Sequence, residues 1–261
     1  MLNRKQDLHR AFSQLIRYGL VFLTGVPIDK TDDLHCEVRR MGEIFGRIRE
    51  TFYGQVWDVI SVRNSTNIAN TNLDLGLHMD LLYFQHPPRY QILHCLRNKV
   101  EGGTSYFVDA IRSAEILRVE KPEYFKVLTR VPVPYHYIND GHHLHNHHPV
   151  IQLSQTDESN IEYINYSPPF QAPLLVDTPP EFYHALHRFS ELLDTEADTY
   201  RHTLQEGEAV VFDNRRVLHA RTEFNEKEAV PEGEASRWLK GCYLEADDIL
   251  DRQRILLAQL D

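Results

Sequence analysis

The stretch Ala209-Val210-Val211-Phe212-Asp213-Asn214-Arg215-Arg216-Val217-Leu218-His219 decides how the chain is read. An apolar run, Ala209 to Phe212, has the character of a buried strand. A polar turn follows, and a second short apolar segment ends on a histidine. Strand, turn and strand in this order read as a hairpin that carries His219 back toward the mouth of a β barrel. Taken alone, His219 reads better as a half-buried strand histidine hydrogen-bonded to backbone.

A second stretch changes that balance. In Leu77-His78-Met79-Asp80-Leu81, a histidine and an aspartate two positions apart share one face of an extended segment. Joined by His219 they supply two imidazoles and one carboxylate, the ligand set of facial-triad iron sites.

Around these two stretches the pattern is strand-rich. Segments near Trp57–Val62, Tyr90–Leu96, Ser105–Asp109, Val133–Ile138, Val150–Leu153, Ile161–Tyr166, Ala209–Phe212 and Leu239–Leu244 read as strands, punctuated by glycine, proline and Asn-Asp clusters. Helical periodicity marks residues 5–18, with Leu8, Phe12, Leu15 and Ile16 on one side. A helix is expected from Thr31 to Gly46, capped by Thr31 and burying Leu34, Val38, Met41 and Phe45. Others are expected at 111–129, split by Lys121-Pro122, at 180–194 and at 246–258. Strands flanked by helices suit a mostly β protein, a double-sheet jelly roll with helices packed outside.

Composition narrows the partners. Of 261 residues 42% are hydrophobic and 25% charged, which is ordinary for a globular chain. A net charge of −10 argues against nucleic acid or an anionic membrane as the partner. Cys36, Cys95 and Cys242 are too sparse for a disulfide framework and suit a reducing compartment. The N-terminus has no apolar signal core, and no run is long enough to span a bilayer. The expectation is a soluble, cytoplasmic protein acting on a small molecule.

Arg237 is the remaining residue that pattern alone singles out. On a strand beginning there, Arg237, Leu239 and Gly241 share one face and Cys242 lies on the other. An arginine facing a barrel interior is costly unless paired, and a carboxylate matches its planar fork. An exposed arginine beside the acidic loop Asn225–Glu234 is the equal alternative.

These segments, with Asn67-Ile68-Ala69-Asn70-Thr71, Pro87-Pro88-Arg89-Tyr90-Gln91 and Glu101-Gly102-Gly103-Thr104-Ser105, occur in an order that resembles a known family. It is the γ-butyrobetaine and trimethyllysine dioxygenase branch of the taurine-dioxygenase-like superfamily, and the resemblance spans roughly residues 12–255. It implies a double-stranded β-helix enzyme using Fe(II), O2 and 2-oxoglutarate, in one catalytic domain over residues 1–261. That domain divides into a helical part (1–50), a jelly-roll core (about 51–245) and a C-terminal helix (246–261). A homodimer is in keeping with the branch.

By the same resemblance His78, Asp80 and His219 fall on the iron ligands. Arg237 falls on the arginine that pairs with the distal carboxylate of 2-oxoglutarate, with Arg221 as the alternative, and Ser105 on a hydroxyl that helps hold it. Tyr53, Trp57 and Tyr243 align with aromatic walls around a quaternary ammonium group. Asn67 aligns with a contact to the substrate carboxylate. Asn70 stands where those enzymes carry a cage tyrosine, and Ser167 about where they carry an asparagine. The expected substrate is therefore a small amine or amino acid other than γ-butyrobetaine, hydroxylated with release of succinate and CO2. Desaturation or ring closure are alternatives within the class. A metal-binding cupin-like module or a zinc hydrolase is an alternative outside it. The histidine-rich run Asp140–Pro149 is expected to be a lid or pocket-lining loop, a solvated loop or, with least weight, a second metal site.

Overall fold

The computed structural model describes residues 5–61, 68–227 and 234–258. Two antiparallel sheets form its centre. The larger, six-stranded sheet runs Leu20–Leu23, Ala209–Asp213, Tyr90–Asn98, Arg237–Leu244 and Ile48–Arg49 in spatial order, with Trp57–Ile60 also paired to Arg237–Leu244. The smaller, four-stranded sheet runs Thr199–His202, Ser105–Asp109, Val217–Arg221 and Leu75–His78.

Period-two alternation sorts each strand into two faces. The inner faces meet through Phe107 of the smaller sheet, whose ring lies 5.8 Å from both Phe22 and Phe212 of the larger one. Val210, Val217, Cys95 and Leu239 complete that cluster. The outer face of the larger sheet, through Tyr90, Ile92, Val211 and Cys242, packs on Phe12, Val38, Phe45 and Ile249. Those come from the helices Lys5–Tyr18, Glu37–Phe45 and Ala246–Ala258. Val108 and Leu218, on the outer face of the smaller sheet, are covered by Leu117, Leu128, Phe182 and Phe189. These belong to the helices Ala110–Glu120, Pro122–Leu128 and Pro180–Leu193. The open end between the sheets is left for a site.

Three expectations are corrected. The helix expected from Thr31 starts at Glu37. Asp32 Oδ1 instead accepts from the amides of Leu34 (3.1 Å) and His35 (3.0 Å), a side-chain turn that competes with helix. Leu34 is accordingly 72% exposed, whereas Val38, Met41 and Phe45 are buried. The segments on either side of Asp213–Arg216 do not pair with each other. Ala209–Asp213 pairs in the larger sheet and Val217–Arg221 in the smaller, so the turn is an arch between sheets and not a hairpin. The histidine-rich run is not a loop. His142–Pro149 is a full strand paired with Pro132–Asn139. Asp140 (φ +49°) and Gly141 (φ +78°) form the two-residue turn between them, a conformation that favours Asp-Gly.

Removing the Phe107 ring from between the sheets leaves a cavity that the paired backbones cannot collapse. Phe107→Ala is expected to cost about 3–5 kcal/mol in urea denaturation. A loss under about 1 kcal/mol would show that the ring does not hold the sheets together.

Candidate active site

His78 ends its strand directly opposite His219 in the smaller sheet. The two rings lie 4.2 Å apart. The chain turns sharply after Asp80, because Leu81 sits at φ +61°, a conformation uncommon for any residue but glycine, asparagine or aspartate. This turn brings Asp80 Oδ1 to 3.4 Å from His78 Nε2, and Oδ2 to 3.8 Å from His219 Nε2. Among the described residues these are the only three His, Cys, Asp or Glu side chains whose donor atoms all fall within 4.8 Å of one another.

Their surroundings suit a metal. The His78 Nδ1–H donates to the Gly76 carbonyl at 2.9 Å, which turns Nε2 toward Asp80. Burial, reinforced by His78, pushes His219 down to about 3, so it is neutral at physiological pH. Burial alone would raise Asp80, but the His78 hydrogen bond, the two histidines and the Tyr243 hydroxyl hold it well below the usual carboxylate range. Two imidazoles and a carboxylate are a donor set that fits Fe(II).

Asn214 fixes this geometry from the arch. Its Oδ1 accepts the Asp80 amide at 2.8 Å, and its Nδ2 donates to the carbonyls of Asp80 (3.1 Å) and Pro88 (3.0 Å). The sequence reading passed over Asn214, although the polar turn was noted. Tyr243, expected as an aromatic wall, also donates its hydroxyl to Asp80 Oδ2 at 3.0 Å.

One cavity of about 1010 Å³, measured with its open mouth, contains most of the expected residues. His78, Asp80 and His219 line it together with Ser105, Arg221, Arg237, Tyr53, Trp57, Asn70 and Tyr243. Ser167 is buried but does not line it, and the neighbouring ring of Phe170 does. Asn67 lies outside the described residues. Gln91, Leu93, Tyr83 and Leu239 were not foreseen as lining residues, although strand alternation from Arg237 and Tyr90 places three of them on the inner face.

The two arginines differ in what they touch. Arg221 donates to the carbonyls of Thr71 (3.0 Å) and Leu73 (2.9 Å), so it is engaged in holding the loop that carries Asn70. Arg237 is 6% exposed and makes no ion pair among the described residues. Its guanidinium lies 5.4 Å from the Phe224 ring. Burial and then Arg221 lower it to about 10, which leaves it cationic at neutral pH. A buried cation without a carboxylate partner is an uncompensated cost unless a ligand supplies one.

No residue of the histidine-rich strand lines this cavity. The exposed His142 ring lies 4.6 Å from that of Phe52, and the buried His148 has Nε2 2.9 Å from the Phe84 carbonyl. His143, His145 and His147 are exposed.

Comparison with known proteins places the chain. A profile of the taurine catabolism dioxygenase TauD, TfdA family matches residues 2–243. "Dioxygenase str8" of Strobilurus tenacellus is 56% identical over 257 residues, covering 98% of this chain and 60% of that protein. The mitochondrial trimethyllysine dioxygenase of Homo sapiens is 31% identical over 261 residues, covering 98% and 59%. The chain thus spans about three fifths of the length of these relatives. Asparagine oxygenase, solved with Fe(II), 3-hydroxyasparagine and succinate, superposes with a TM-score of 0.70 at 20% identity, covering 96% of this chain and 82% of that one. That likeness shows the fold.

Asn214→Ala strips three backbone groups of their partner next to the metal donors. It is expected to cost about 1–3 kcal/mol in chemical denaturation. Fe(II) affinity should fall about 10–100-fold in an anaerobic titration. Unchanged affinity would detach Asn214 from the site.

Proposed function

We infer the reaction for a chain that belongs to the taurine catabolism dioxygenase TauD, TfdA family. It is a non-haem Fe(II)- and 2-oxoglutarate-dependent oxygenase that oxidises, by default hydroxylates, a small amine- or amino-acid-type substrate. The observation that carries this reading is one cavity holding both the His78–Asp80–His219 cluster and the buried, unpaired Arg237. A zinc hydrolase would use the three donors but has no need of the arginine. The two sheets closing around the cavity support a double-stranded β-helix as the architecture, in a single catalytic domain over 1–261. The buried free cysteines suit the proposed cytoplasmic setting. Among the described residues no helix is long and apolar enough to cross a membrane.

His78, Asp80 and His219 would hold Fe(II) through Nε2, a carboxylate oxygen and Nε2. Bound Fe(II) with 2-oxoglutarate supplies O2 activation, decarboxylation of the keto acid to succinate and CO2, and oxidation of a substrate C–H bond. Arg237 would take the distal carboxylate of 2-oxoglutarate through its planar fork, and the Ser105 hydroxyl would add a hydrogen bond. Tyr243 would keep Asp80 ionised and oriented through its O–H. Trp57, Tyr53 and Tyr243 would exclude water and hold the substrate against the metal face.

Fe(II) and 2-oxoglutarate added anaerobically should give a weak visible charge-transfer band. In air, succinate should form with an accepted substrate, and product mass separates gain of an oxygen atom from loss of two hydrogens. Neither band nor succinate would overturn the reading. His219→Ala should abolish turnover. Arg237→Ala should mainly raise the 2-oxoglutarate KM, by about 1.5–3 kcal/mol of lost charge-assisted binding. An unchanged KM would move that role to Arg221.

A further inference from the structure

A second cavity, of about 660 Å³ measured with its open mouth, shares no lining residue with the first. Its wall draws on separate chain segments. Arg49 ends a two-residue edge strand, and Arg89 stands just before the strand Tyr90–Asn98. Arg215 follows Asn214 in the arch, and Ala246 begins the helix Ala246–Ala258. The lining ring of Tyr163 gathers two of the arginines. The guanidinium carbon of Arg215 lies 4.4 Å from it and that of Arg89 5.6 Å. In a chain of net charge −10, three arginines around one cavity are a local reversal of sign.

Their donors are not used up by the fold. Arg215 is 5% exposed and makes no ion pair among the described residues. Its Nη2 donates to Asn165 Oδ1 at 2.6 Å, a neutral partner. Arg49 is half-buried, also without an ion pair among the described residues, with its guanidinium 6.0 Å from the Phe84 ring. Arg89 gives Nε to Asp213 Oδ2 at 3.0 Å. Both Nη atoms of Arg89, Nη1 of Arg215 and the guanidinium of Arg49 make no hydrogen bond among the described residues, and none of these atoms is fully covered. They therefore keep open surface on side chains that line one cavity. Burial lowers Arg215 to about 10, which leaves it cationic at neutral pH. The one carboxylate in the lining, Glu245, sits in the field of Arg47.

A carboxylate is met by a single planar fork. Arginines arriving from three segments, beside the free amides of a helix start, suit a group that offers oxygens in several directions and more than one charge. Asp248 in that first turn is taken by Arg47 at 3.1 Å. A phosphate monoester supplies both properties, with about −1.5 to −2 charge near neutral pH.

We propose that this second cavity binds a phosphate group, free or as the monoester of a small molecule, through Arg49, Arg89 and Arg215 at the start of the C-terminal helix. The site is separate from the proposed oxygenase chemistry and stands without it.

The test is titration calorimetry on the full chain at constant ionic strength in chloride, with inorganic phosphate and methyl phosphate as probes. At least one probe should saturate at one per chain. Tighter binding of methyl phosphate identifies an ester as the ligand, and tighter binding of inorganic phosphate the free ion. Arg49→Gln should weaken binding about tenfold or more. Arg215→Gln should do the same, and where that variant does not fold, Arg49→Gln decides. Arg237→Ala, which changes only the first cavity, should bind the probe as the parent chain does. Neither probe saturating, or binding undiminished by Arg49→Gln, overturns the proposal. Binding lost in Arg237→Ala also overturns it, by placing the anion in the first cavity. Succinate bound by Arg237→Ala as tightly as phosphate would overturn the phosphate assignment.

Discussion

The carboxamide of Asn214, fully buried in the arch between the sheets, is spent entirely on the main chain. It accepts the Asp80 amide and donates to the carbonyls of Asp80 and Pro88. The arch is also anchored by its own amide, since Asn214 N–H donates to the Arg89 carbonyl at 2.6 Å. Two of the three metal donors depend on this junction. His219 is delivered by the strand that leaves the arch, and Asp80 is held by the side chain within it. Chain segments more than a hundred residues apart meet there through backbone groups that would otherwise be buried unpaired. The left-handed turn at Leu81, an unfavourable conformation for leucine, persists because these contacts determine it.

Charge is distributed with the same economy. The arch and its surroundings carry three arginines in a row of contacts. Arg216 pairs with Asp109 at 2.6 Å, Arg89 with Asp213 at 3.0 Å, and Arg215 donates to Asn165 at 2.6 Å. Lys240, 1% exposed on the outer face of its strand, reaches Asp33 and Asp58. Against this background of hydrogen-bonded cations, Arg237 is a buried arginine with no ion pair among the described residues, set beside the Phe224 ring, the Cys95 thiol and Arg221. Its place two residues before Leu239 on the inner face makes a dicarboxylate cosubstrate the economical partner.

Much of this was legible in the sequence. Period-two alternation put Arg237 on the inner face with Leu239 and Gly241, and His78 on one face with Asp80. The split at Lys121-Pro122 was readable because proline cannot continue the preceding helix. What escaped has physical causes. The strands Leu75–His78, Thr199–His202 and Ile48–Arg49 are too short or too polar to show a pattern of their own, and they exist because a neighbour supplies the ladder. The Asp140-Gly141 turn was a usable hairpin signal, masked by a run of histidines that reads as loop. The arch was taken for a hairpin because two strands joined by a short turn look alike in sequence whether they share a sheet or not. Ser167, placed near the substrate by alignment, lies outside the cavity because the turn at Pro168–Phe170 points the Phe170 ring there instead.

The most direct measurement is a crystal structure of the protein soaked anaerobically with Fe(II) and 2-oxoglutarate. The account predicts one iron held by His78 Nε2, Asp80 and His219 Nε2, with the keto acid on its open face. The distal carboxylate should lie in hydrogen-bond contact with the Arg237 guanidinium. A keto acid bound away from Arg237, or a metal held without any keto acid under saturating conditions, would contradict it.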